Sequence, residues 1–172
     1  MEVVEQLSEY IDGISKKYNK HLKLAHINAQ SLCDVAHYSE FCDDFANSGI
    51  DIIAVSETFF KNSSLTSLPN YTPHTVNRID RNGGGVALYV KNNLQTKVLA
   101  MSDGTSGKPE YIICEVDVGS VKILCACAHR PPHIGYMDLF LLIYTSHWLI
   151  TNMFLCVEIC MPDLAVDQTR LK

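Results

Sequence analysis

The stretch Asp51-Ile52-Ile53-Ala54-Val55-Ser56-Glu57-Thr58 constrains this chain more than any other. A run of apolar or small residues closed abruptly by a carboxylate reads as a strand buried on both faces that delivers Glu57 to a sheet edge. A rigid strand fixes the position of such an acid, which makes it a good metal ligand or general base. A second delivery lies upstream. Leu22-Lys23-Leu24-Ala25-His26-Ile27 is another short apolar run, and it opens into the polar group Asn28-Ala29-Gln30-Ser31.

Between the two runs, Ser31 or Asp34 is placed to cap a helix whose apolar face carries Tyr38, Phe41, Cys42 and Phe45, and Asn47-Ser48-Gly49 supplies the stop. Strand, helix and strand in this length make a βαβ-type unit, which brings Asn28 and Glu57 together if the strands are parallel neighbours. Upstream, Val3, Leu7, Ile11, Ile14 and Tyr18 recur at helical steps, so an amphipathic helix is expected over 1–20.

Downstream, residues 61–73 read as a surface loop. The segment Asn82-Gly83-Gly84-Gly85-Val86-Ala87-Leu88-Tyr89-Val90 follows. No Gly-Lys-Ser/Thr comes after the glycines, so this is not a Walker loop; the expected role is permissive backbone where the chain turns into a strand or passes close to a ligand. Arg78 and Arg81 beside it are candidates to hold a phosphate, or are solvated loop arginines. Strands are expected at 94–100, 111–118 and 121–128, the last two joined by a hairpin at Gly119-Ser120. The 121–128 run is apolar on both faces and ends in His129-Arg130, after which Pro131-Pro132 forces the chain out of the sheet. Three buried strands thus end in Asn28, Glu57 and His129-Arg130.

With 172 residues the chain is one domain by size, and a 47% hydrophobic content excludes a disordered one. The net charge of −5 gives no general attraction for a phosphate backbone, so nucleic-acid binding would depend on a local patch or a metal. Seven cysteines without a C-x-x-C spacing, and no secretory signal in the first residues, read as reduced intracellular thiols. Cys125 and Cys127 are expected as neighbours on one core-facing side of a strand.

The motifs 27–32, 54–58, 82–90 and 129–132 resemble, in order and spacing, the endonuclease domain of non-LTR retrotransposons, a branch of the endonuclease/exonuclease/phosphatase superfamily. The resemblance covers about residues 22–140. It implies an α/β (α+β) fold, a sandwich of two β-sheets flanked by helices, with the site where strand ends of both sheets meet. It implies that Asn28 and Glu57 belong to that site, Glu57 as ligand of a catalytic Mg²⁺, and that DNA is the partner, with no small-molecule cofactor. Gln30 stands where related enzymes carry another polar or acidic group. His129 stands where a tyrosine is usual, and Arg130 is a candidate phosphate contact.

The second half of the family pattern is missing. After the double proline there is no Asp-x-Asn, and no Asp-His pair occurs anywhere. Instead, residues 139–157 contain no Asp, Glu, Lys or Arg, a span long enough to cross a bilayer but interrupted by Thr, Ser, His and Asn. The organisation expected is an N-terminal helix over 1–20, a partial endonuclease/exonuclease/phosphatase domain over 21–140 and a divergent tail over 141–172. Three readings of the tail stand open: the product of truncation or an altered frame, a buried helix covering an unfinished sheet, or a membrane segment. Each predicts an open strand edge where the missing half would pair.

The expected function is therefore Mg²⁺-dependent phosphodiester hydrolysis on DNA by descent, with this chain itself inactive, in a nuclear or cytoplasmic setting. The alternatives are a non-catalytic interaction or membrane-associated fragment, and another phosphodiesterase or phosphatase of the superfamily.

Overall fold

The structure is a computed structural model, and the residues it describes are 20–80, 82–130 and the backbone of Asn152–Ile159, with Glu9, Tyr10, Gly13, Lys16 and Lys17 before them. Those five early positions are helical, and all are exposed; the rest of the expected helix lies outside the described residues.

The first sheet is built from β1 (Leu24–Asn28), β2 (Ile52–Ser56), β3 (Tyr71–Val76) and β4 (Val86–Lys91) in the order β1-β2-β4-β3. Strands β1 and β2 are parallel with Asn28 opposite Ser56, and α1 (Val35–Phe45) makes the crossover. Of the two expected caps, Asp34 is the one used: its Oδ1 accepts from Ala36 N at 2.9 Å and His37 N at 3.1 Å, an interaction usually worth about 1 kcal/mol. The second sheet holds β5 (Gln95–Met101), β6 (Glu110–Val118), β7 (Val121–Arg130) and β8 (Asn152–Ile159) in chain order. Strands β5 to β7 form an antiparallel meander, and Gly119 turns the β6–β7 hairpin at φ +68°.

The continuous apolar run of β2 is explained by its place between two layers. Alternate residues of a strand face opposite sides. Ile53 and Val55 join Phe41, Phe45, Ala87 and Tyr89 beneath α1. Ile52 and Ala54 point the other way and pack, with Val86 and Leu88, against Ile112, Cys114, Ile123 and Cys127 of the second sheet. The molecule is thus a two-sheet sandwich with a helix on one outer face. Cys125 and Cys127 lie in its buried core.

Two expectations are corrected. The loop expected over 61–73 ends early, because Tyr71–Val76 forms β3; as the edge of its sheet, β3 tolerates Pro73, which has no N–H to donate. In the tail, Asn152–Ile159 is a strand rather than part of a helix, and it pairs in parallel with β7 from Ile123↔Asn152 to Arg130↔Ile159. The β7 edge expected to stand open is covered by the chain's own tail. No described helix is long and apolar enough to cross a membrane. The other residues of 131–151 and 160–172 lie outside the described set.

Candidate active site at the joined strand ends

Because β1 and β2 are parallel and in register, Asn28 and Glu57 leave the first sheet at the same end. The ladder continues past both strands: Ala29 N donates to Ser56 O at 2.9 Å, Ser31 N to Glu57 O at 2.8 Å and Leu32 N to Thr58 O at 2.8 Å. Gln30, Ser31, Glu57 and Phe59 all take positive φ, at +46°, +98°, +54° and +56°. For residues other than glycine such a conformation costs about 1 kcal/mol or more and persists only where neighbours enforce it. Here the enforcement comes from that ladder and from the glycine run, where Phe59 N donates to Gly84 O at 2.8 Å and Thr58 N to Gly85 O at 3.3 Å. The strain is concentrated on the turn that presents Glu57.

The second sheet supplies the opposite wall. Glu110 opens β6 and is the register partner of His129 near the end of β7. His129 is only 3% exposed and lies between two carboxylates, with Nε2 3.6 Å from Glu57 Oε1 and Nδ1 3.4 Å from Glu110 Oε2. Both contacts are long for hydrogen bonds, and neither ring nitrogen has a hydrogen-bond partner. Glu110 is held tightly. Arg78 Nε donates to its Oε1 at 2.8 Å, and Gly85 N donates to its Oε2 at 3.0 Å. Burial pushes the Glu110 carboxyl up, but the His129 ring beside it, the hydrogen bonds from Arg78 and Gly85 and the Arg78 charge outweigh it and hold the group below its ordinary value.

Of the three glycines, Gly84 is the one this ion pair requires, and Gly85 is required by the Thr58 turn. A Cβ on Gly84 would stand 2.1 Å from Arg78 Nη2 and 2.7 Å from Glu110 Oε1, and one on Gly85 would stand 2.6 Å from Thr58 Oγ1. The close approach expected of the run is therefore made inside the protein, by Gly84 to a buried salt bridge and by Gly85 to Thr58.

The structure sorts the remaining expected site residues. Asn28 accepts from Gln30 N through Oδ1 at 3.1 Å, which fixes its amide, while the Gln30 side chain is exposed on the turn. Arg78 is buried against Glu110 instead of standing free for a phosphate. It still lines a cleft of about 500 Å³ with Phe59, Lys61, Ser63, Asp80 and Asn82. Arg130 is half-buried, with Nε enclosed and unpartnered among the described residues. Arg81 lies outside the described residues. Glu110 is the member that motif reading missed. Its signal was present, since counting back equally from the Gly119-Ser120 turn pairs Glu110 with His129.

Among the described residues no group of three or more His, Cys, Asp or Glu side chains is arranged to hold a metal ion. The donor chemistry nevertheless suits a hard cation. The Glu57 carboxylate is 25% exposed beside the Asn28 strand end, and Mg²⁺ commonly binds through one or two carboxylates while keeping several waters. Glu110 is 1% exposed and its charge is already paired with Arg78, so Glu57 is the more available carboxylate.

No protein-family model and no curated protein matches the sequence. Solved structures do match. The human Nocturnin catalytic domain superposes with a TM-score of 0.60 at 11% identity over 79% of this chain and 62% of that one. The endonuclease domain of TRAS1, a telomere-specific non-LTR retrotransposon, gives 0.55 at 10% over 80% and 58%. An endonuclease/exonuclease/phosphatase family protein from Leptotrichia buccalis gives 0.55 at 13% over 80% and 66%. The chain spans about three fifths of the length of these structures, and at such identities the likeness establishes the fold.

Proposed function

We propose that this chain, which carries the endonuclease/exonuclease/phosphatase fold, is the N-terminal portion of a Mg²⁺-dependent DNA endonuclease of the non-LTR retrotransposon type. The observation that carries the reading is the convergence of Glu57 and His129 from two different sheets on a strained turn. Strain held at a solvent-accessible carboxylate contributes nothing to folding, and such strain clusters at functional sites.

In this reading Glu57 holds the cation, with the strand end and the Glu57 φ of +54° setting its direction. When bound, a divalent cation lowers the pKa of water and offsets charge on a scissile phosphate. His129 is a positioning residue, since its ring is enclosed and its nitrogens face Glu57 and Glu110 rather than solvent. Asn28, oriented by Gln30 N, donates to a phosphate oxygen through Nδ2. Substrate contact runs through the metal, because a chain of net charge −5 has no general attraction for DNA. Turnover is not expected from these residues alone. The Asp-x-Asn and Asp-His groups of the family pattern are absent after the double proline, and water activation and charge stabilisation act as a unit.

The test is nicking of supercoiled plasmid in Mg²⁺ by purified protein beside Glu57→Ala. The expected result is no metal-dependent nicking above the variant's background. Robust nicking that disappears in Glu57→Ala would show that other residues of the chain supply the missing groups.

A further inference from the structure

The cleft of about 500 Å³ that Phe59 and Arg78 line opens beside the turn presenting Glu57, and the metal reading leaves it unused. The Phe59 ring lies against bare glycine backbone, since a Cβ on Gly83 would stand 3.7 Å from its Cζ. The Phe59 backbone is pinned on both sides: its N donates to Gly84 O at 2.8 Å, and its O accepts from Cys33 Sγ. The next turn is fixed as well, with Lys61 N donating to Ser64 Oγ at 2.8 Å and Ser64 N to Lys61 O at 2.9 Å. The Lys61 side chain is exposed and makes no ion pair among the described residues.

Arg78 supplies the inner wall. Its side chain is 7% exposed and its Nε is committed to Glu110, yet its two terminal amino groups make no hydrogen bond among the described residues. A Cβ on Gly83 would stand 3.9 Å from Nη1. A buried guanidinium that lines an open cleft with unmet N–H donors is a place for a ligand carrying acceptors. Asp80, the carboxylate of the lining, is turned to another loop, where both its oxygens accept from Ser106 N, at 3.2 and 3.1 Å. Ile79 adds an exposed apolar surface at the lip.

From this arrangement we infer that the cleft binds one unstacked nucleotide of the DNA, with its base on the Phe59 ring, the acceptor edge of the base toward the Arg78 amino groups and its phosphate on Lys61. The inference rests on reading the fold as one that acts on DNA, and adds a subsite to that reading. The cleft is of the size that small-molecule sites have. Any base can stack on an aromatic face, so Phe59 supplies affinity without selection. Arg78 supplies the selection. Glu110 fixes the guanidinium plane, which makes the Nη groups a rigid pair of donors. Guanine presents two acceptors, O6 and N7, on one edge, whereas adenine presents N7 beside an amino donor. The cleft therefore takes guanine in preference to adenine. One stacked base and one lysine give a weak, local hold, so duplex binding without metal remains weak.

The experiment is titration of the purified full chain in EDTA with dGMP, dAMP and deoxyguanosine, up to about 10 mM, followed by backbone amide chemical shifts. dGMP should move the amides of Phe59, Lys61 and Gly83 and bind at least about fivefold more tightly than dAMP. Lys61→Ala, an exposed substitution, should lower dGMP binding to the level of deoxyguanosine and leave deoxyguanosine binding unchanged. Folded wild type whose Phe59, Lys61 and Gly83 amides do not respond to dGMP overturns the inference, as does undiminished dGMP binding by Lys61→Ala. Equal binding of dGMP and dAMP overturns the Arg78 contact and the guanine preference with it. Because the metal is chelated throughout, a silent cleft leaves the Glu57 metal reading standing, and failure of the metal reading leaves a responsive cleft standing.

Discussion

Arg78 Nε donates to Glu110 Oε1 at 2.8 Å, and this ion pair ties the two sheets together at the end where Glu57 is presented. Arg78 follows β3 of the first sheet, Glu110 opens β6 of the second, and their side chains are 7% and 1% exposed. Removing one partner of a buried pair leaves an uncompensated charge. Arg78→Met is expected to lower unfolding stability by about 3–5 kcal/mol in urea titrations. A loss under about 1 kcal/mol would place this pair with surface salt bridges.

The same carboxylate predicts an acid-side instability. The folded state holds Glu110 below its ordinary value of 4.5, so its contribution is complete above that pH and is lost as pH falls through the lower folded-state value. The urea midpoint of wild type should drop as pH is taken from about 5 to 3, and Arg78→Met should show a shallower drop because one cause of the depression is gone. Parallel pH profiles for the two proteins would contradict this.

Two glycines with nearly the same backbone separate strain from close approach. Gly84 and Gly119 have φ of +69° and +68°, but a Cβ on Gly119 meets nothing within 4 Å whereas one on Gly84 overlaps Arg78 and Glu110. Gly119→Ala should cost about 1 kcal/mol, the conformational term. Gly84→Ala should cost at least about 2 kcal/mol more, because it also displaces the buried pair. Equal thermal shifts in the two variants would sink the close-approach account of the glycine run.

Tyr89 offers a substitution in the stabilising direction. Its side chain is fully buried beneath α1, and its hydroxyl has no hydrogen-bond partner among the described residues. Tyr89→Phe removes a desolvated polar group without leaving a large cavity, so stability should rise by about 1 kcal/mol. A clear loss in a urea titration would show that the hydroxyl is satisfied.

Much of the sandwich was legible because its signals are local. Double-faced apolar runs marked β2 and β7, the Asp34 cap and the Tyr38, Phe41 and Phe45 spacing marked α1, and Gly119-Ser120 marked the hairpin. β3 was hidden by Pro73, whose meaning depends on whether a strand is at an edge. β8 was hidden for a different reason. Its apolar run fits helix or strand equally well by composition, and its parallel pairing with β7 is a long-range relationship. In the site, sequence order located Asn28, Glu57 and His129 at converging strand ends. It gave no indication that Arg78 is occupied by Glu110, since an arginine in a polar loop looks the same whether solvated or buried.

The most direct test of the central account is DNA binding that depends on both metal and Glu57. A fluorescein-labelled duplex is titrated with wild type and with Glu57→Ala, in Mg²⁺ and in EDTA, and followed by anisotropy. With a net charge of −5, binding in EDTA should be weak for both proteins. Mg²⁺ should strengthen binding by wild type and leave Glu57→Ala near its EDTA value. An equal Mg²⁺ enhancement in the two proteins would contradict the assignment of Glu57 as the residue through which a metal joins this fold to a phosphodiester.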